Sequence, residues 1–172
     1  YEQLIGPRTR LVAVTHVSNA LGTVTPVRRI VERAHTAGVP VLLDGAQAIA
    51  HARVDMQAIG CDFYAFSGHK LYAPMGIGVL YGKAEWLAKL PPYQGGGHMI
   101  RDVTFARTEY DAPPRKYEAG TPNVEGAVGL AAALDYVERI GLAAIGAHEQ
   151  ALLDYATARV EEIDGLRVIG TA

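Results

Sequence analysis

Two apolar, β-branched runs, LVAVT at residues 11–15 and PVLLD at 40–44, enclose a stretch that carries Val27, Ile30, Val31 and Ala34 at helical spacing. Thr25 with Pro26 reads as the cap and first turn of that stretch, and Gly38 as its end. Strand, helix and strand in this order make a βαβ unit, whose right-handed crossover sets the two strands parallel. Their carboxyl ends then share one edge of the sheet, the edge at which open α/β sheets bind ligands.

The segments DFYAFS (62–67) and IGVLYG (77–82) read as two further strands, the direction of the second left open by its glycines. Between 90 and 116 prolines and glycines break every period, and the spacing predicts a long functional loop. Thr121-Pro122 repeats the cap signal and opens an Ala- and Leu-rich helix to about Ile140. Gly141 separates it from a second helix ending near Gly165, after which LRVI reads as a strand just beginning. The expected fold class is α/β, with helices packed against a mostly parallel sheet.

The 172 residues are 49% hydrophobic, enough for a substantial core, and 16 basic against 18 acidic residues leave a net charge of −2. No basic excess points to nucleic acid, and no apolar run suits a membrane, so neither is an expected partner and a cytoplasmic location is the default. The single cysteine, Cys61, excludes an internal disulfide and a thiolate metal cluster within the chain, and no metal is expected. The chain opens at Tyr1 without a methionine and close to a core strand, so it reads as a piece of a longer protein, incomplete at both ends.

Three polar signals fall at strand ends: Asn19 after the first strand, Asp44 with Gln47 at the second, and Ser67-Gly68-His69-Lys70 at the third. A single lysine–aspartate couple is most simply a structural ion pair. The whole group, however, meets the needs of pyridoxal phosphate (PLP): an amine from Lys70, a carboxylate from Asp44 for the ring nitrogen, Gln47 and Asn19 for the phenolic oxygen, and Ser67 and His69 for the phosphate.

The stretches LLDGAQAIAHARVD, CDFYAFSGHKLYAPMGIGVLYG, QGGGHMI and YEAGTPN resemble cysteine desulfurases of the SUF type, including selenocysteine lyases, over nearly the whole chain. The resemblance implies the large domain of an aspartate-aminotransferase-type fold over residues 1–140, with 141–172 a connecting helix and the start of a small domain. It implies a PLP-dependent homodimer that takes sulfur from L-cysteine, or a related amino acid, to give L-alanine and an enzyme persulfide for iron–sulfur cluster assembly, with a sulfur-acceptor protein as partner. Lys70 becomes the cofactor-bearing lysine and Asp44 the partner of the ring nitrogen. Thr121 matches a position that reaches the phosphate of the neighbouring subunit. The family's upstream ring-stacking histidine and phosphate-binding threonine, and its downstream nucleophilic cysteine and carboxylate-binding arginine, fall outside this sequence. His98 stands where similar proteins carry a small or acidic residue.

Selenocysteine lyases, other lyases and small-group aminotransferases share that fold, and a non-catalytic fragment is the reading from another class. Cys61, just before an apolar strand, reads as buried and structural. His16, His35, His51 and His148 lack metal-ligand spacing and read as packing or surface residues, whereas Tyr64, Tyr72 and Tyr81 read as strand-period packing residues. GGGHMI reads as a dimer-contact or flexible loop, and Asp55 and Glu125 as first-turn charges.

Overall fold

The computed structural model describes residues 1–170. Its main sheet runs in the order β1 (Val12–Thr15), β2 (Val41–Asp44), β3 (Phe63–Ser67), β4 (Gly78–Gly82). The first three strands are parallel and β4 is antiparallel to β3. The direction of β4 follows from its connection: the stretch from Gly68 to Ile77 is too short for a helical crossover, so the chain turns back on itself.

Helix α1 (Val27–Thr36) makes the crossover between β1 and β2 and buries Val27, Ile30, Val31 and Ala34, the face read from the sequence. These side chains close on Val12, Val41, Leu43, Cys61 and Tyr64 to form the larger core. Full burial of each branched aliphatic residue contributes about 1.5–3 kcal/mol, which fixes the helix on this face of the sheet. Helix α2 (Met56–Ile59) is a single turn whose cap is Asp55, its carboxylate accepting from the Ala58 amide; Asp55 is therefore a cap rather than a first-turn charge.

A second core gathers Leu130, Ala133 and Val137 of α4 (Val124–Ile140) around Leu71, Ala73 and Ala50. Its cap is Asn123, two residues beyond the predicted Thr121, because the Asn123 side chain accepts from the Gly126 amide. Helix α5 (Leu142–Glu161) follows directly, packing Leu142 and Ile145 against that core and meeting His51 through Glu149 at 2.8 Å, with none of its residues fully buried.

One element was missed and two expectations are corrected. The short helix α3 (Ala84–Lys89) had no period long enough to be seen. The predicted loop over 90–116 contains a hairpin, β5 (Ile100–Val103) with β6 (Thr108–Tyr110), turned by the Thr104 hydroxyl accepting from the Ala106 and Arg107 amides. LRVI is not a strand; it has no neighbouring strand to pair with among the described residues.

Opposite the carboxyl edge of β1–β3, Asp62 ties the sheet together. It is buried, and its carboxylate accepts from His35 Nε2 (2.7 Å), the Val41 amide (2.8 Å), Lys83 Nζ (3.0 Å) and Trp86 Nε1 (3.1 Å). One side chain thus joins α1, β2, β3 and α3. Burial pushes the Asp62 carboxyl up, but the bonds from His35, Val41 and Lys83 outweigh it and hold the group below its ordinary value.

A folded-state value below the unfolded one means that the contribution to stability is complete above the unfolded carboxyl value of about 3.9 and is lost as pH falls through the folded value. In the complete protein, Asp62→Ala is expected to lower stability by about 2–3 kcal/mol at neutral pH, since it strands donors that are only partly exposed. Denaturant unfolding from neutral pH to below pH 4 should show that difference shrinking at the acid end; a constant difference would contradict the assignment.

Candidate active site at the carboxyl edge of the sheet

The parallel register sets Thr15 beside Asp44 and Asp44 beside Ala65. Residues level in a parallel ladder share a face, and here Val41 and Leu43 point into the α1 core, so Asp44 is on the opposite face. The ladder continues past it on both sides, through His16 N to Asp44 O (2.8 Å) and Gly45 N to Ala65 O (2.8 Å). The Ala46 amide donates to Asp44 Oδ1 at 2.9 Å, which orients the carboxylate.

Ser67, two residues beyond Ala65, ends β3 on the same face as Asp44. The chain then enters a 3₁₀ turn, Gly68–Leu71, that carries His69 and Lys70 and buries Leu71. Gly68 has no room for a side chain: a Cβ there would lie 2.7 Å from Ile77 Cγ2, so the turn packs directly on Ile77 and presents its next two residues outward. His69 and Lys70 are exposed, and Ser67 Oγ and His69 Nδ1 share a hydrogen bond of 2.8 Å.

Gln47 is half-buried where the chain leaves Asp44, heading a 3₁₀ turn over Ala48–Ala50. Asn19 is exposed at the tip of a tight loop after β1, closed by the Val17–Val24 bridge and by the Ser18 hydroxyl accepting from the Ala20 and Leu21 amides. Thr121 is exposed on the strandless stretch entering α4, held beside the glycine-rich loop by a Gly120 N to Gly97 O bond of 2.9 Å. The structure therefore puts Asp44 and Ser67 at the carboxyl ends of neighbouring strands and His69 and Lys70 on the turn just past the second, with Gln47 and Asn19 on loops that leave the same edge and Thr121 on a separate segment.

Asp44 and Lys70 do not neutralise each other: among the described residues no ion pair within 4.0 Å involves either. A carboxylate, an amine and a hydroxyl–imidazole pair, all accessible at one edge, form a donor set that suits PLP. A mutually buried Asp44–Lys70 pair would not.

Sequence reading missed what lies beneath Asp44. The Tyr64 ring is fully buried against Gly45, where a Cβ would fall 1.9 Å from Tyr64 Cε1. Its hydroxyl meets His16 Nδ1 at 3.0 Å, and the two rings stack edge to face. Burial, with smaller contributions from Cys61 and Asp44, pushes the Tyr64 phenol up to about 12, and burial lowers His16. Tyr64 thus keeps its hydroxyl proton and shares one hydrogen bond with His16 Nδ1. The only available signal was a glycine following the strand-end carboxylate one register away from a tyrosine, and nothing local marks that pairing.

The family model for aminotransferase class-V matches residues 1–172. The chain is 59% identical over 172 residues to a probable cysteine desulfurase of Mycolicibacterium paratuberculosis, covering 100% of this chain and 25% of that protein. It is similar to the apo structure of cysteine desulfurase from Thermococcus onnurineus NA1, with a TM-score of 0.86 and 42% identity over 89% of this chain and 38% of that one. It is also similar to a variant of the lyase C-DES with glycine covalently linked to its PLP cofactor, at a TM-score of 0.72 and 29% identity over 81% and 38% of the two chains. The chain thus spans well under half the length of these relatives.

Because Gly45 admits no side chain, Gly45→Ala in the complete protein is expected to destabilise by about 1–3 kcal/mol through overpacking on Tyr64. An unfolding midpoint equal to that of the unsubstituted protein would contradict this.

Proposed function

The chain belongs to the aminotransferase class-V family, and we propose that it is the cofactor-bearing part of a PLP-dependent cysteine desulfurase. The observation that carries this reading is the placement of Asp44 at the end of β2 and of Lys70 just past the end of its parallel neighbour β3, with neither charge neutralised by the other. The names of the similar proteins from Mycolicibacterium paratuberculosis and Thermococcus onnurineus support the same activity, and the PLP recorded with C-DES supports the cofactor.

When bound, PLP supplies an electron sink that stabilises negative charge at the α-carbon of an amino acid. Lys70 Nζ would anchor the cofactor and serve as the base for the α-proton; its exposed position at the end of a short turn leaves it free to reach both. Asp44, oriented by the Ala46 amide, would hold the proton on the ring nitrogen. Ser67 and His69 would donate to the phosphate, and Gln47 and Asn19 to the phenolic oxygen. Thr121 would reach the phosphate of a second subunit, which makes the working unit a homodimer.

The sulfur of L-cysteine would pass to a cysteine in a part of the protein outside this chain, giving L-alanine and a persulfide for a sulfur-acceptor protein of iron–sulfur cluster assembly. Cys61 does not suit that role. It is fully buried, and burial, then the Asp62 charge, push its thiol up and away from the nucleophilic thiolate. Residues 1–140 would form part of the large domain and 141–172 the lead into a small one. A cytoplasmic site of action goes with the reading; no helix among the described residues is long and apolar enough to cross a membrane.

In the complete protein, Lys70→Ala is expected to abolish covalent retention of PLP and turnover of L-cysteine, with the unfolding midpoint nearly unchanged because the amine makes no core contact. Turnover close to that of the unsubstituted protein would overturn the proposed function. Cys61→Ala should leave persulfide formation within about twofold, and its selective loss at full stability would assign the nucleophile to Cys61 instead. Assays with L-selenocysteine and with amino-group acceptors separate a lyase or an aminotransferase from a desulfurase.

A further inference from the structure

Three contacts close a circuit around the Asp44 backbone. His16 donates its amide to Asp44 O at 2.8 Å, its Nδ1 meets the Tyr64 hydroxyl at 3.0 Å, and the Tyr64 ring bears directly on Gly45, the residue after Asp44. Packing alone does not account for the hydroxyl. A phenylalanine would fill the same space, and a buried hydroxyl is costly unless it is bonded. Nor does His16 act as a surface residue, since it is half-buried and edge-on to the tyrosine at a ring separation of 6.0 Å.

We infer that Tyr64 and His16 are positioning residues for Asp44: their bonded pair fixes the backbone at Asp44 and Gly45 and thereby aims the carboxylate at the cofactor's ring nitrogen. This rests on the proposed PLP-dependent reading and adds to it the residues that hold the carboxylate in place. The circuit works because each member constrains a different degree of freedom. The His16 amide fixes the Asp44 carbonyl from the β1 side, the Tyr64 ring limits Gly45 from the β3 side, and the bond between the two side chains prevents either from shifting alone. Without the hydroxyl the tyrosine ring still fills its space, but His16 loses its partner and the aim of Asp44 slackens.

The test uses the complete protein with four variants read by three measurements: the dissociation constant of PLP for the apoprotein, the pH midpoint of the bound cofactor's visible band, and the thermal midpoint of the apoprotein. Tyr64→Phe and His16→Leu are each expected to weaken PLP about tenfold and to move the band's pH midpoint, as loss of one buried hydrogen bond beside the aimed group would. The double variant should go no further than either single one, because the two side chains act as one device. His16→Asn, whose amide can occupy the place of Nδ1, should return both cofactor readouts toward those of the unsubstituted protein. Unaltered PLP affinity and band in Tyr64→Phe overturn the positioning role, while Lys70-dependent uptake by the unsubstituted protein leaves the parent reading intact. If Tyr64→Phe does not fold, equal readouts for His16→Leu and His16→Asn overturn the role, and a difference between them supports it. Failure of the unsubstituted protein to take up PLP overturns both.

Discussion

The parallel pairing of β1, β2 and β3 is the constraint on which the site depends. Because the strands run the same way and pair Thr15, Asp44 and Ala65 level with one another, every loop leaving them departs from one edge. Asn19, Gln47, Ser67 and Lys70 lie far apart in the sequence but share that edge for no reason other than strand direction. The antiparallel β4 contributes differently: it brings Ile77 back beneath Gly68 and so supports the turn that carries Lys70.

The two aspartates of this sheet show how surroundings decide the use of one chemical group. Asp62 receives four donors in a buried setting and is fully committed to holding elements together. Among the described residues Asp44 receives one backbone amide and makes no ion pair, and it is exposed, so its charge is available to a ligand. A carboxylate saturated by its own protein stabilises the fold, and one left unsaturated at a strand end is available for chemistry.

Much of this was legible in the sequence. The face of α1, the parallel βαβ unit and the strand-end positions of Asp44 and Lys70 all follow from short-range pattern, because a 3.6-residue period and a strand-end polar group are local signals. Residues set by long-range contact were not legible. Asp62 looked like the first residue of a strand, His35 like a packing or surface residue, and Tyr64 like one more core aromatic, since their roles exist only once sheet register brings them together. The Thr104 turn and α3 were missed for another reason: each is too short to show a period. The shift of the α4 cap from Thr121 to Asn123 shows the same limit at an element boundary, where two residues with capping side chains compete and geometry chooses between them.

That choice has a mechanical consequence. Asn123 caps α4 through Oδ1, and through Nδ2 it donates to the Gly76 carbonyl at 3.1 Å, in the loop that follows Lys70. The start of a 17-residue helix and the segment bearing the exposed amine are therefore clamped by one side chain. The loop that leaves the Lys70 turn can therefore swing away from the start of α4 only by breaking this bond, so the two segments share one point of attachment.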